Sequence, residues 1–281
     1  MKRTDRIKLS FLRNWQLPGR ERLSRWLKTS AATQTALIDG ITWLNQEDLA
    51  VYTTSDNYIE HMVLVSGVYE TEIRTLINLS LKPGFTALDI GANIGIQSIR
   101  MANRVGTGGK VYAFEPLGYL QEKFKKNLAL NHCTNVSLFP IALSDKEETR
   151  SIRINEHNWN QGTFSLNDTG TGQTQQELTV RIGDQVAEIA GLERLDLIKV
   201  DVEGFEYHVL RGLKNTIMRH RPRIIFEYDA AYWTRTGQSI TDCLAMLHHC
   251  GYRTYQIYAA GCELIRDPAL IASENLLAIP E

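Results

Sequence analysis

From residue 85 to the end of the chain, short continuous apolar runs alternate with stretches whose apolar residues recur every third or fourth position. The first pattern suits a strand buried on both faces, the second a helix with one apolar stripe. Residues 86–90, 110–115, 136–141, 195–200 and 223–228 therefore read as strands, with 253–258 and 275–279 completing the series. Between them, residues 95–104 predict a helix. So do the stripe Leu117, Leu120, Phe124 and Leu128 and the stripe Phe205, Val209, Leu213 and Ile217, which Pro222 ends. A further helix spans 239–250 and stops at Gly251. Strand and helix in regular alternation imply a doubly wound α/β sheet.

Ahead of residue 85 the signals are mixed. Short β-like runs at 41–44 and 49–52 precede a helix that carries Ile59, Met62 and Val63 and that Asp56 could cap. Another helix over 69–81 closes at Pro83-Gly84. Residues 31–84 thus read as a helical and β cap laid against the sheet of an 85–281 domain. Residues 155–177 interrupt the alternation with a long polar stretch that holds Trp159 and Phe164. A loop of that length in a compact domain is usually a lid, a binding element or disordered. Its two aromatics either cover a substrate or pack back on the domain.

Composition narrows the class. Of 281 residues, 43% are hydrophobic and 22% charged, which excludes disordered and fibrous proteins. No apolar run nears the ~18 residues of a membrane span, and the first residues lack the apolar core of a secretory signal, so a cytoplasmic location is expected. Cys133, Cys243, Cys250 and Cys262 show no C-x-x-C pair, which indicates neither a zinc site nor a disulfide framework. His248 and His249 beside Cys243 and Cys250 could be drawn as a metal cluster or simply as part of the 239–250 helix.

Charge is unevenly spread. Residues 1–28 hold nine Lys or Arg against Asp5 and Glu21, a charge of +7 that leaves −8 on residues 29–281 for a whole-chain value of −1. Trp15, Trp26, Phe11 and several leucines interleave with those cations, so residues 1–30 form a basic amphipathic arm. Such an arm can lie on an anionic membrane, mediate self-association or pack as a solvated helix. Nucleic acid is not an expected partner, because the acidic remainder repels phosphate.

Two strand ends carry the candidate chemistry. Asp89-Ile-Gly91-Ala92-Asn93-Ile-Gly95 closes one strand and opens a helix. Gly91 permits a turn that a Cβ would obstruct, and Gly95 allows close helix packing. Glu115, 20 residues after Gly95, stands where an acid can grip a ribose diol. A dinucleotide site would show G-x-G-x-x-G and a pyrophosphate at the helix start. Here Asp89 disfavours phosphate and suits S-adenosylmethionine, which has a sulfonium, an ammonium and a ribose. The strand ending in Lys199, Asp201 and Glu203 sends all three to one side of the sheet. Glu227 and Asp229 end the next strand. These acids could serve as general base on a hydroxyl, or ligate Mg²⁺ with Asp201, although a divalent metal is not favoured. Lys199 could equally form a structural ion pair. His208 could be a base or a helix-face histidine.

On these residues the chain resembles the FkbM family of S-adenosylmethionine-dependent methyltransferases. The blocks that carry the resemblance are Gly67-Val-Tyr-Glu70, the Leu88 to Gly95 turn, Tyr112-Ala-Phe-Glu-Pro116, Asp201-Val-Glu-Gly-Phe-Glu206, Val209-Leu-Arg-Gly212, Pro222 to Glu227 and Gly251-Tyr252. The resemblance implies a Rossmann-like class I methyltransferase sheet of seven strands, the last inserted antiparallel, and methyl transfer to a hydroxyl of a sugar, glycolipid or natural product. It implies that Asp89, Gly91, Ala92, Asn93, Gly95, Glu115, Pro116 and Asp201 hold the cofactor, that Glu70 closes over it, and that Asp201, Glu203, Lys199 and Glu227 lie at the reacting centre. Ile182-Gly-Asp184 departs from the family's usual Leu-Asp-Asp turn. The competing readings are a nicotinamide-dependent oxidoreductase and a catalytically silent partner-binding protein of the same fold.

Overall fold

The computed structural model describes residues 40–45, 47–54, 58–154, 174–271 and 274–281. The basic arm, Asp56, Trp159 and Phe164 lie outside the described residues. A hairpin of β1 (Gly40–Trp43) and β2 (Ala50–Thr53) leads to α1 (Tyr58–Ser66) and α2 (Thr71–Ser80). The expected alternation follows as β3 (Thr86–Ile90), α3 (Ile96–Val105), β4 (Lys110–Phe114), α4 (Gly118–Leu130) and β5 (Val136–Phe139). Next come β6 (Ala142–Ser144), β7 (Glu148–Ile154) and β8 (Thr174–Ile182), then α5 (Ala187–Ala190) and β9 (Leu197–Val200). The chain ends through α6 (Glu206–Gly212), α7 (Lys214–His220), β10 (Arg223–Tyr228), α8 (Ala230–Arg235), α9 (Ile240–His249), β11 (Tyr252–Tyr258), β12 (Gly261–Leu264) and β13 (Glu274–Pro280).

The main sheet runs in the order β12-β11-β13-β10-β9-β3-β4-β5. Strands β10, β9, β3, β4 and β5 are parallel, and β13 is inserted antiparallel between β10 and β11. This is the expected Rossmann-like methyltransferase sheet with one addition. The eighth strand, β12, pairs with β11 at the edge, and all four of its residues are exposed, so no apolar pattern marks it.

Strand parity sorts the core into two layers. Leu88, Ile90, Ile198, Val200, Ile224 and Phe226 face Val209, Leu213 and Leu247. Ala87, Leu197 and Ile225 face the other way, toward Ile73 and Ile77 of α2 and Met101 and Val105 of α3. Two residues on, that parity puts Asp89, Lys199 and Glu227 on the α2/α3 side at adjacent strand ends, with Asp89 opposite Lys199 in the β3–β9 register. The cap joins the domain through a third cluster, in which Leu44, Leu49, Val51 and Val63 pack on Ile96, Ile99, Leu117 and Leu120. Asn127 of α4 and Asn131 at its C-cap fasten β2 by accepting from the Tyr52 and Ala50 amides at 2.8 and 2.9 Å.

Three expectations change. The single helix through Phe205 and Ile217 is two, because the chain bends at Leu213, where a Cβ on Gly212 would lie 2.0 Å from the Ser144 carbonyl oxygen. The apolar stripe continues across the bend, so periodicity conceals it. Residues 174–177, assigned to the polar loop, begin β8, which pairs with β7. Among the described side chains of that pair Ile152, Leu178 and Val180 are buried, too few to register as a strand pattern. Asp229, considered as a site acid, caps α8 by accepting from the Ala231 and Tyr232 amides. Among the described residues no helix is long and apolar enough to cross a membrane.

Phe124 fixes how α4 meets α3: it is fully buried, and a Cβ on Gly95 would lie 2.1 Å from its ring. Phe124→Ala is expected to lower stability in urea unfolding by about 3–5 kcal/mol. A loss below about 1 kcal/mol would contradict this packing.

Candidate functional site

The turn after β3 is shaped by what cannot fit. Gly91 has φ 81°, and a Cβ there would lie 1.8 Å from the Asp201 carbonyl oxygen, so only glycine lets β3 and β9 end side by side. The Gly91 and Ala92 amides donate to the Phe114 carbonyl, and the Asp201 amide donates to the Ile90 carbonyl, which lock the three strand ends together. Asn93 follows in the left-handed region at φ 52°. Its amide donates to Glu115 Oε2 at 2.9 Å, and the Leu117 amide donates to Glu115 Oε1 at 2.9 Å. Glu115 thus ties the end of β4 to the β3 turn. Burial pushes its carboxyl up to about 7, against the opposing pull of those two amides.

A cavity of about 270 Å³ opens at these strand ends. Gly91, Ala92, Asn93, Glu115 and Pro116 form one wall, Lys199, Asp201, Glu203 and Glu227 another, and Tyr69, Glu70 and Gln97 a third. Ile94, Leu117, Leu120, Ile141 and Leu143 add an apolar lining. Lys199 Nζ stands 3.1 Å from Asp201 Oδ2 and 3.9 Å from Asp89 Oδ1. Burial works against its ammonium, but the charges of Asp201, Asp89 and Glu70 outweigh that and hold it charged beyond the usual lysine range. Asp201, Glu203 and Glu227 bring carboxylate oxygens within 4.8 Å of one another.

The family model described as the Methyltransferase FkbM domain matches residues 89–254, more than half of the chain. The chain belongs to the FkbM methyltransferase family. A second model, of protein-L-isoaspartate(D-aspartate) O-methyltransferase, matches residues 29–143. The chain is similar to the AMB antimetabolite synthetase AmbE of Pseudomonas aeruginosa, at 28% identity over 204 aligned positions, with 60% of the chain and 9% of AmbE covered. It is 28% identical to the 2-O-methyltransferase NoeI of Sinorhizobium fredii, over 53% of the chain and 65% of that protein. It is likewise 28% identical to the 31-O-demethyl-FK506 methyltransferase FkbM of Streptomyces tacrolimicus, over 49% of the chain and 62% of that protein. The chain therefore spans less than two thirds of each of these three relatives.

Within this FkbM-family site, most of the residues singled out from sequence share one cavity, and two stand behind it. Asp89 does not line the cavity: it is fully buried, accepts from Ser98 Oγ, and its Oδ1 has no hydrogen-bond partner among the described residues. Gly95 likewise serves packing against Phe124. Glu206 accepts from the Val202 and Gly204 amides and so shapes the turn that presents Glu203, itself at φ 55°. His208 is outside the cavity and bonds Asp145 at 3.0 Å through Nδ1 and Gln238 at 2.6 Å through Nε2. Tyr69 and Gln97 were missed as site residues. Nothing local marks Gln97, one of three polar residues among the first five of α3.

The acids repel one another. Burial, then the charge on Asp201, pushes Glu203 up to about 9. Asp201, then burial, pushes Glu227 up to about 10. A carboxyl raised in the folded state contributes stability that is complete below its ordinary value near 4.5 and is lost as pH climbs toward the raised value. Without ligand, the melting temperature should therefore fall between about pH 6 and about pH 9, and less in Glu227→Gln than in the parent. An equal fall in both would contradict this electrostatic account.

Proposed function

We propose that this cavity binds S-adenosylmethionine and that the chain methylates a hydroxyl oxygen of a sugar, glycolipid or natural product. The observation that carries the reading is the charge of the crevice: Glu70, Glu115, Asp201, Glu203 and Glu227 line it, and Lys199 is its one cationic lining residue among those described. A pyrophosphate would find there only Lys199, already paired with Asp201, whereas a ligand with a sulfonium, an ammonium and a ribose diol lets acids that are protonated in the empty site ionise against it. When bound, the cofactor supplies an electrophilic methyl carbon.

The chain's own residues then have four tasks. Glu115 offers its carboxylate to the ribose hydroxyls, beside a turn it already orders. The apolar lining excludes water and fixes the line of approach, from which most of the rate in a displacement reaction arises. Asp201 and Glu203 orient the acceptor hydroxyl, and one of them takes its proton. Lys199 holds the Asp201 carboxylate in place. The likeness to NoeI, a 2-O-methyltransferase, and to FkbM, a 31-O-demethyl-FK506 methyltransferase, supports oxygen as the acceptor atom.

The test is transfer of labelled methyl from S-adenosylmethionine to a panel of sugars, glycolipids and hydroxylated natural products. Asp201→Asn and Glu203→Gln are each expected to lower kcat about 100-fold or more while the folded variants still bind cofactor. Near-normal turnover in both would remove these acids from the acceptor site, and transfer only to nitrogen or carbon would overturn the choice of oxygen.

A further inference from the structure

Glu70 occupies the N-cap position of α2 but does not cap it. Its backbone is in the left-handed region, at φ 40° and ψ 65°, which a residue with a Cβ adopts only when its surroundings impose it. The carboxylate that would normally bond the first helical amides instead lines the cavity, where Gln97 Nε2 donates to its Oε2 at 2.6 Å. The Gln97 amide is oriented in turn. Arg100 Nη1 donates to Gln97 Oε1 at 3.1 Å, which leaves the amide nitrogen facing Glu70.

Arg100 is itself clamped. Its Nε and Nη2 donate to the two oxygens of Glu47 at 2.7 and 2.6 Å, a forked pairing that only a guanidinium provides. Nη2 also donates to the carbonyl of Tyr69, the residue before Glu70, at 2.8 Å. Arg100 is 5% exposed, and neither it nor Glu47 lines the cavity. Glu47 belongs to the β1–β2 connection of the cap, so an unbroken series of hydrogen bonds runs from the cap, through α3, to an acid on the cavity wall.

We propose that Glu47 and Arg100 are positioning residues for the methyl-donor site: they fix the Gln97 amide and the Tyr69 carbonyl, and through them hold the Glu70 carboxylate against the cationic end of the donor. This rests on the methyl-donor reading of the cavity. Seating of the cap and binding of the donor are then one linked equilibrium, and damage at Glu47 is felt as lost donor affinity with no change in the acceptor contacts.

The experiment is calorimetric titration of S-adenosylhomocysteine into the full chain for Glu47→Gln, Glu70→Gln and the double variant, with donor and acceptor KM measured on the same proteins. Each single change is expected to weaken binding about tenfold, the scale of one charge-assisted hydrogen bond. Because Glu47 acts through Glu70, the double variant is expected to bind no more weakly than Glu70→Gln alone. Donor KM should rise and acceptor KM stay constant. Arg100→Lys, which keeps the charge but loses the fork, should reproduce the Glu47→Gln loss and covers the case in which Glu47→Gln does not fold. Unchanged affinity in Glu47→Gln or Arg100→Lys, or multiplying effects that reach about 100-fold in the double variant, would overturn the proposal. Unchanged affinity in Glu70→Gln would instead remove Glu70 from the donor site.

Discussion

A single buried ammonium, that of Lys199, stands among the carboxylates of Asp89, Asp201 and Glu70, and the rest of the site is arranged around that imbalance. Parity puts Asp89, Lys199 and Glu227 on one sheet face, and the glycine turn at Gly91 brings the β3 and β9 ends into contact there. One cation cannot balance every acid that converges on these strand ends. The surplus is carried by Glu203 and Glu227, held protonated far above the ordinary carboxylate range by burial and by Asp201. Such an arrangement disfavours the empty state and favours any ligand that brings positive charge. The charge at these strand ends says more about a ligand than the shape of the sheet does, since that shape alone serves many chemistries.

The parts of this site that sequence made legible are those governed by local rules. Gly91 was readable because a strand that turns directly into a helix needs a residue without a Cβ, and the Cβ clash with the Asp201 carbonyl is the physical form of that need. Glu115 was readable from its distance beyond the turn. Lys199, Asp201 and Glu227 followed from alternation along buried strands. What escaped depends on partners distant in sequence. Asp229 looked like a site acid because nothing local announces that Ala230–Arg235 is a helix for it to cap. Gln97 and Arg100 look like interruptions of an apolar run until Glu47, 53 residues before Arg100, is brought against α3. The edge strand β12 buries nothing and so leaves no pattern at all.

The cap is therefore more than a cover. Its apolar residues pack on α3 and α4, and its polar ones deliver Tyr69 and Glu70 to the cavity wall. A class I sheet provides a floor of strand ends and glycine turns, while residues 40–81 supply a wall that the sheet does not. Asp201 and Glu203 lie within residues 89–254, which the FkbM family model matches, and Glu70 lies outside them.

The central claim is that a phosphate-free, cationic nucleoside occupies this crevice. Calorimetric titration of the full chain with S-adenosylhomocysteine, with NAD and NADP run in parallel, tests it most directly. Saturable binding of S-adenosylhomocysteine alone is expected, weakened about tenfold or more by Glu115→Ala through loss of the ribose contacts. Binding of NAD or NADP, or of none of the three, would contradict it.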